Sequence, residues 1–324
     1  MYPADVRQDR PVEVFMAHMD VVFPDESELP LRVEDGRIYC PGVGDDTACL
    51  VCLLLAGKYI AEHVDSPQWR EIRREDAPGL LLVCNAGEEG LGNLKGVHKI
   101  CEDFGDRIER FCTFDSSLSS IVDRAVGSKR FRVRVRTRGG HSYDDFGNDN
   151  AIAGLASLVG KLYGIRVPEG GKTTYNVGMI SGGTSVNTIA QEAEMLYEFR
   201  SDRRENLEYM ERQFMKVIDR GKSEGMDVSL EIIGVRPCEG QVDPKRKQAL
   251  SDWAHRVVEE MTGQAPKHCA GSTDCNIPLS LGIPSVCVGS FRGAGAHTRE
   301  EYVETDSLEE GYKVAFGMIF GSRD

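Results

Sequence analysis

Residues 12–20 have the sequence VEVFMAHMD, a pattern from which the fold class of this chain can be predicted. Most of this stretch is apolar, which predicts a short buried strand that ends on His18 and Asp20. The pattern returns twice, because GLLLVCN (79–85) precedes the loop AGEEGLGN and FCTF (111–114) precedes Asp115. An apolar helix predicted over residues 46–62 separates the first two strands. This alternation predicts an α/β fold around a mostly parallel sheet.

The pattern changes in the middle of the chain. The stretch KRFRVRVRTR (129–138) alternates basic and apolar residues, as one-sided antiparallel strands do. Further elements are predicted as strands over 173–180, 193–200 and 228–235 and as helices over 150–163 and 204–221. Their β-α-β-β-α-β order predicts an inserted ferredoxin-like α+β domain. We therefore predict a discontinuous domain over 1–127 and 237–324, interrupted by a second domain over 128–236.

Composition narrows the class of function. The chain has 39 basic and 52 acidic residues among 324, for a formal charge of −13. Such a protein lacks the basic face that nucleic acids or anionic membranes require. It contains no apolar run of 18 residues and begins without a signal-peptide pattern. Ten cysteines occur without a paired CxxC motif, and Cys49 and Cys52 lie in an apolar helical pattern, so we interpret them as buried packing. These features favour the cytosol.

Polar side chains collect where the predicted strands end. The chain order of these residues is His18, Asp20, Asp45, Asp46, Glu88, Glu89, Asp115 and His297. Open α/β sheets bind ligands at the carboxyl ends of their strands. Imidazole and carboxylate ligands suit zinc, manganese or cobalt, and this number of them is enough for two ions that share one carboxylate. Each motif alone is more often a solvated turn, but their combination predicts a two-metal site.

The motifs resemble those of the M20 metallopeptidases, a family of zinc exopeptidases and amidohydrolases. They follow one another along nearly the whole chain as AHMDVVFP, GVGDDT, NAGEEGLG, FDSS, GGHSYDDFGNDNAI, SGGTSVNTIA, YEFRSD, GSTDCNIPLSLGIPSV and GAHTREEYV. The resemblance implies a zinc-exopeptidase catalytic domain with an inserted lid and dimerisation domain. Asp115, where several carboxypeptidases and the desuccinylase have Glu, is similar to the tripeptidase (peptidase T) and dipeptidase branches.

The resemblance also implies roles for single residues. The metal ligands would be His18, Asp45, Glu89, Asp115 and His297. Asp45 resembles the bridging ligand, which a cis peptide follows in the family. Glu88 resembles the general base. Asp20 resembles the carboxylate that hydrogen-bonds the second ring nitrogen of the first histidine ligand.

Further roles fall outside the predicted metal site. His141 resembles the lid histidine that stabilises the oxyanion in a partner subunit. Asn187 and Arg200 resemble the residues that hold the substrate carboxylate. Ser272 and Asp274 belong to a loop similar to one that lines the substrate. The other histidines have no such context and are interpreted as packing or surface residues.

The sequence therefore predicts a cytosolic exopeptidase for small peptides that uses two divalent ions, zinc foremost, and forms a homodimer through its lid. The alternatives are an N-acyl amino acid deacylase or carboxypeptidase of the same family, and a non-catalytic homologue. Family members usually have a longer segment before the first strand than the 17 residues that precede His18. This difference predicts an upstream start, a shortened chain, or a protein that lacks this cover and therefore exposes apolar surface.

Overall fold

The computed structural model of the protein describes residues 10–23, 29–67, 69 and 77–321. The chain divides into two units by its internal contacts. The discontinuous unit comprises Met1–Ala125 and Glu239–Asp324, and the inserted unit comprises Val126–Cys238.

The strands of the described residues are β1 (Val12–His18), β2 (Arg32–Glu34), β3 (Arg37–Tyr39), β4 (Gly79–Asn85), β5 (Ile108–Phe114), β6 (Ser120–Ala125), β7 (Gly127–Arg136), β8 (Gly140–His141), β9 (Thr173–Gly182), β10 (Thr188–Ile189), β11 (Glu192–Ser201), β12 (Asp227–Arg236), β13 (Lys267–Gly271), β14 (Ser285–Val288), β15 (Gly293–Ala294) and β16 (Tyr302–Glu304). The α-helices are α1 (Cys49–His63), α2 (Lys95–Phe104), α3 (Ala151–Tyr163), α4 (Arg204–Ser223), α5 (Pro244–Thr262), α6 (Asn276–Ser280) and α7 (Ser307–Phe320).

A six-stranded central sheet organises the discontinuous unit, in the order β13-β6-β14-β5-β1-β4. Every pairing in it is parallel except that of β14 with β6. The prediction of a mostly parallel central sheet is therefore confirmed. All seven residues of β1 are buried, as expected for a strand covered on both faces.

Helices cover both faces of this sheet. On one face, Phe15 of β1 belongs to a buried cluster with residues of α1, α5 and α7. On the other face, Met16 of β1 and Phe111 of β5 cluster with residues of α2 and α6. A smaller antiparallel sheet, β15-β16-β3-β2, lies in the same unit. These layers support the carboxyl ends of β1, β4 and β5, where the predicted ligands begin.

The inserted unit has its own sheet and core. Its strands are antiparallel in the order β12-β7-β11-β9, and its elements follow as β7-α3-β9-β11-α4-β12 with a short β8–β10 ladder. Phe131, Tyr197 and Phe214 stack in a core that α3 and α4 complete, with ring centroids 4.4 and 5.2 Å from Phe214. The other face of the sheet carries ion pairs such as Arg134 to Glu194 at 2.7 Å.

Two local differences from the sequence prediction have physical causes. The helix predicted from residue 46 begins at Cys49, because Asp45 and Asp46 have non-helical backbone angles within the π-helical turn Val43–Ala48. Strands β6 and β13 were not predicted, since neither has a continuous apolar run or a regular alternation. Among the described residues, no helix combines the length and apolar character needed to cross a membrane.

Candidate active site

The ends of three parallel strands bring the first predicted site residues together. His18 is the last residue of β1 and pairs in register with Asn85, the last residue of β4. The loop that carries Glu88 and Glu89 follows Asn85 directly, and Asp115 follows β5 on the other side of β1. One edge of the sheet therefore carries an imidazole between two carboxylate-bearing segments.

The loop between β3 and α1 supplies two more carboxylates. Gly42 has a left-handed φ of 76°, which glycine adopts without a steric penalty. A Cβ on Gly44 would lie 2.7 Å from the ring of Phe291, so the backbone needs glycine at this close approach as well. The peptide between Asp45 and Asp46 is cis. Both acidic side chains turn into the same site as His18.

The ligand atoms form two groups, each with its atoms within 4.8 Å of one another. The first group is His18, Asp46 and Asp115, and the second is Asp45, Glu89 and His297. Asp45 lies between the groups, because its Oδ1 is 3.0 Å from Nε2 of His18 and its Oδ2 is 3.0 Å from Nε2 of His297. Nε2 of His297 is also 3.2 Å from Oε1 of Glu89. All five residues predicted as ligands are thus in the two groups.

Asp46 is a member of the first group to which the sequence analysis assigned no role. Its Oδ2 accepts the backbone N–H of His18 at 2.9 Å. Its buried Oδ1 has no hydrogen-bond partner within the described part of the chain. In the sequence, the only indication that Asp46 belongs to the site is its position next to Asp45. The backbone of the turn at 43–48 determines which of the two acids faces which histidine.

The concentration of acidic side chains in the site favours the binding of a cation. Burial opposes a charged imidazolium, yet the hydrogen bond to Asp45 and the nearby carboxylates raise the pKa of His18 to about 11. Burial, together with Asp45 and Glu88, raises the pKa of Glu89 to about 7. Burial and neighbouring acids also raise the pKa of the Asp115 carboxyl well above its usual range. A divalent ion would offset this repulsion, and imidazole with carboxylate is a donor set that zinc, manganese and cobalt accept.

Asp20 holds the loop after β4 rather than the ring of His18. The Nδ1 of His18 is 2.9 Å from the backbone carbonyl oxygen of Asp20, whereas the nearest carboxylate oxygen is 3.7 Å away. The carboxylate instead accepts three backbone N–H groups, from Gly87 at 2.9 Å, Glu88 at 3.3 Å and Glu89 at 2.9 Å. The expected ring contact is therefore made by the backbone, and the side chain fixes the segment that carries Glu88 and Glu89.

Glu88 is buried beside both ligand groups. Its charge acts on the pKa of His18, Glu89 and Asp115, so its carboxylate lies near all three. A cavity of about 280 Å³ opens next to Asp45 and Asp115 within the same unit. A carboxylate that is not needed as a ligand and lies beside the two candidate ligand groups is suited to moving a proton during hydrolysis.

His141 and Asn187 lie together in the inserted unit. The β8–β10 ladder pairs His141 with Thr188, and the carbonyl oxygen of Asn187 accepts the N–H of Ser142 at 3.0 Å. The contacts of the His141 ring are made through Nδ1, which is 3.3 Å from the carboxylate of Asp144. Among the described residues, none hydrogen-bonds to its Nε2, which leaves that nitrogen for a ligand.

Arg200 lies near the carboxyl end of β11, where it pairs in register with Ser128 of β7. It is eight residues beyond Glu192 on β11, or roughly 26 Å at the usual strand rise of about 3.3 Å per residue. Its guanidinium donates to both carboxylate oxygens of Glu198, at 2.9 and 3.1 Å.

The loop before α6 carries Ser272 and Asp274. Asp274 is fully buried, and its Oδ2 accepts a hydrogen bond from Nδ2 of Asn85 at 2.7 Å. Asn85 is the residue that ends β4, immediately before the loop with the two glutamates. Asp274 thus supports the base of that loop, while Ser272 is partly exposed.

Comparison with known proteins gives consistent matches. The model of the family described as Peptidase family M20/M25/M40 matches residues 14–320. Succinyl-diaminopimelate desuccinylase of Bordetella parapertussis is 24% identical in sequence to this chain, and the alignment covers 92% of this chain and 79% of the desuccinylase. Two crystal structures share the fold. Aminopeptidase PepT of Bacillus cereus has a TM-score of 0.69 and 21% sequence identity, and the match covers 98% of this chain and 82% of the other. A tripeptidase of Staphylococcus aureus has a TM-score of 0.68 and 22% sequence identity, and the match covers 97% of this chain and 81% of the other.

Proposed function

Because this chain belongs to peptidase family M20/M25/M40, whose members hydrolyse peptide or amide bonds, we propose that it is a metal-dependent exopeptidase that trims small peptides. The observation that carries the proposal is the position of Asp45, with one carboxylate oxygen 3.0 Å from each of two histidines. A carboxylate shared in this way is what a pair of catalytic divalent ions requires.

Two divalent ions fit the ligand groups, zinc foremost and manganese or cobalt next. His18, Asp45 and Asp115 would hold one ion, and Asp45, Glu89 and His297 the other, with Asp46 beside the first. Bound there, the ions would polarise the scissile carbonyl and lower the pKa of the attacking water. Asp20 keeps the loop of Glu88 and Glu89 in place through three backbone hydrogen bonds.

Glu88 is the proposed general base. It would take a proton from the attacking water and deliver it to the leaving amine, as a single carboxylate can do in two successive steps. Its burial next to the ligand groups supports this role, because a buried carboxylate beside developing charge exchanges protons without competition from bulk water.

The remaining roles extend to a second copy of the chain. We propose that the inserted unit is a lid through which two copies dimerise. His141 and Asn187 of one copy would then act in the site of the other, where His141 stabilises the oxyanion and Arg200 and Asn187 hold the substrate carboxylate. His141 is exposed on β8, and this exposure supports a role in the site of a second copy.

A deacylase of N-acyl amino acids is the second candidate. The similarity to the desuccinylase of Bordetella parapertussis supports this candidate, because the alignment with this chain covers most of that enzyme. Both candidates use the same attack on a carbonyl carbon and differ in what precedes the scissile bond. Substrate assays therefore separate them.

The cytosol is the proposed compartment. All ten cysteines are free, and most of them are buried in the core. Free buried thiols persist in a reducing compartment, which supports this assignment.

The deciding experiment is a peptide-library digest with zinc-loaded protein, read by mass spectrometry. We expect single-residue trimming of di- and tripeptides and little release from N-acetyl or N-succinyl amino acids. Glu88→Gln should lower kcat by about 100- to 10,000-fold, the usual contribution of a general base, while two metal equivalents remain bound. Faster hydrolysis of the N-acyl substrates would favour the deacylase, and full activity of the variant would exclude Glu88 as the base.

A further inference from the structure

Glu301 is a buried acid that belongs to neither ligand group. Its exposed fraction is 2%, and it lies four residues after His297, just before β16. Its Oε1 accepts the backbone N–H of Gly44 at 2.9 Å and that of Asp45 at 2.8 Å. Its Oε2 accepts the backbone N–H of Gly42 at 2.7 Å. One side chain thus binds three amides of the loop that carries the shared aspartate.

These contacts account for the burial of a charge. Among the described residues, no basic side chain forms an ion pair with Glu301. A buried carboxylate is costly unless it is hydrogen-bonded, and three N–H donors compensate it. The backbone adds a further link, because the carbonyl oxygen of Glu301 accepts the N–H of Cys40 at 3.1 Å.

The loop conformation depends on this carboxylate. Consecutive N–H groups can point at one acceptor only when the backbone curls around it, and the left-handed φ of Gly42 permits that curl. A Cβ on Gly44 would lie 3.1 Å from Oε1 of Glu301, so the carboxylate packs directly on the backbone. The last of the three amides belongs to Asp45 itself. Its backbone is therefore held at the residue whose side chain spans the two histidines.

Glu301 also joins two segments that supply different ligands. The segment that contains Glu301 begins with His297, whose φ of 64° is unusual for a residue other than glycine. Through Glu301, this segment is bonded to the loop of Asp45, more than 250 residues away in the sequence. The side chain of Glu301 thus links the backbone of Asp45 to the segment of His297, whose Nε2 lies 3.0 Å from the Asp45 carboxylate.

We propose that Glu301 is a positioning residue for the bridging ligand. By accepting the amides of Gly42, Gly44 and Asp45, it fixes the Asp45 carboxylate where both ligand groups can share it, without contacting a metal itself. This inference rests on the proposed two-metal function. Asp20 makes similar contacts, because its carboxylate accepts three backbone N–H groups of the loop that carries Glu89.

The test compares Glu301→Gln with Glu300→Gln in the full-length protein. The neutral glutamine must turn its NH2 group toward at least one backbone N–H, so it loses at least one hydrogen bond and the charge. Glu300 is the matched control, because its side chain is 76% exposed and, among the described residues, forms an ion pair only with Arg32 at the surface. Metal affinity is measured with cobalt or zinc against a competing chelator, and the coordination is followed by the visible absorption of the cobalt-loaded protein.

We expect Glu301→Gln to weaken metal binding by about 10- to 100-fold, the usual effect of changing a group that orients ligands. Its cobalt spectrum should shift, and kcat should fall with KM little changed. Glu300→Gln should match the wild type in every respect. Unchanged affinity and an unchanged cobalt spectrum in Glu301→Gln would overturn the inference.

A second variant covers the case in which Glu301→Gln does not fold. Glu301→Asp keeps the charge but is one methylene shorter, so it should fold, bind metal more weakly than the wild type and shift the cobalt spectrum. Wild-type affinity in this variant would also overturn the inference. The metal readouts need no substrate, so they separate this inference from the proposed activity. If the wild type binds metal but hydrolyses no peptide, the proposed activity fails while a loss of affinity in Glu301→Gln still supports the positioning role.

Discussion

At the scale of single residues, carboxylates of the same chemical type have two different tasks. Asp45 and Glu89 present oxygens to histidines, whereas Asp20 and Glu301 accept backbone amides of the loops that carry those ligands. The difference comes from what each side chain faces. A carboxylate that faces three N–H groups is stable as an anion without a metal, while one that faces other acids and histidines is suited to a cation.

Asp20→Asn provides the test at this scale. Asparagine presents one acceptor oxygen where aspartate presents two, so it cannot serve both Gly87 and Glu89. Because a hydrogen bond to a charged group contributes roughly 1.5–3 kcal/mol, we expect kcat/KM to fall by about 10-fold or more. Metal affinity should fall with it, as measured by chelator competition. Asp106→Asn, a change at an exposed site, is the control and should behave as the wild type. Equal activity of both variants would show that the amide contacts of Asp20 are dispensable.

At the scale of an element, the turn at Val43–Ala48 is the least regular part of the site and the most constrained. It interrupts what the apolar pattern predicts as the start of α1, and it contains the cis peptide between Asp45 and Asp46. Phe291 and Glu301 both pack closely against its Gly44. Because these neighbours come from distant parts of the chain, the turn forms only when the discontinuous unit is assembled.

Gly44→Ala tests this constraint against Gly57→Ala. The new Cβ at residue 44 would lie 2.7 Å from the ring of Phe291, and such overpacking typically costs about 1–3 kcal/mol. At residue 57, inside α1, the Cβ would meet Leu82 at an ordinary 3.5 Å, and alanine should stabilise the helix by about 0.5–1 kcal/mol. Urea unfolding measures both changes. Gly44→Ala should also lose metal affinity and activity, and a wild-type result in all three measurements would contradict the packing argument.

At the scale of the whole molecule, the two units have separate cores and separate charge patterns. The inserted unit pairs its charges, with arginines of β7 facing glutamates of β11. The discontinuous unit gathers acids around two histidines at one edge of its sheet. Only the second arrangement needs a cation for balance.

Metal removal should therefore affect the two units differently. We expect a chelator to lower the thermal midpoint, because an ion at 100 times its dissociation constant contributes about 2.7 kcal/mol of stability. Hydrogen exchange should accelerate around Val43–Ala48 and the end of β4, whereas β7 and β11 of the inserted unit serve as the internal control and should not change. A uniform acceleration across both units, or none, would argue against a metal site confined to the discontinuous unit.

Much of this protein follows from local sequence patterns. Apolar runs predicted β1, β4 and β5. The acids and histidines that follow the strands predicted a metal site, because residues at the carboxyl ends of parallel strands meet at one edge of the sheet. The M20 resemblance is confirmed by the family match over residues 14–320. The assignment as a hydrolase of peptide or amide bonds is confirmed with it.

How these residues are held in place could not be predicted from local sequence patterns. No periodicity or spacing in the sequence indicates that Asp46 belongs to a ligand group. The same is true of the amide contacts of Asp20 and of the role proposed for Glu301. Glu301 accepts amides more than 250 residues away, and Asp20 accepts amides 67 to 69 residues away. A side chain's local sequence determines its chemical type, but its task depends on which distant backbone folds against it, and that contact exists only once the core is packed.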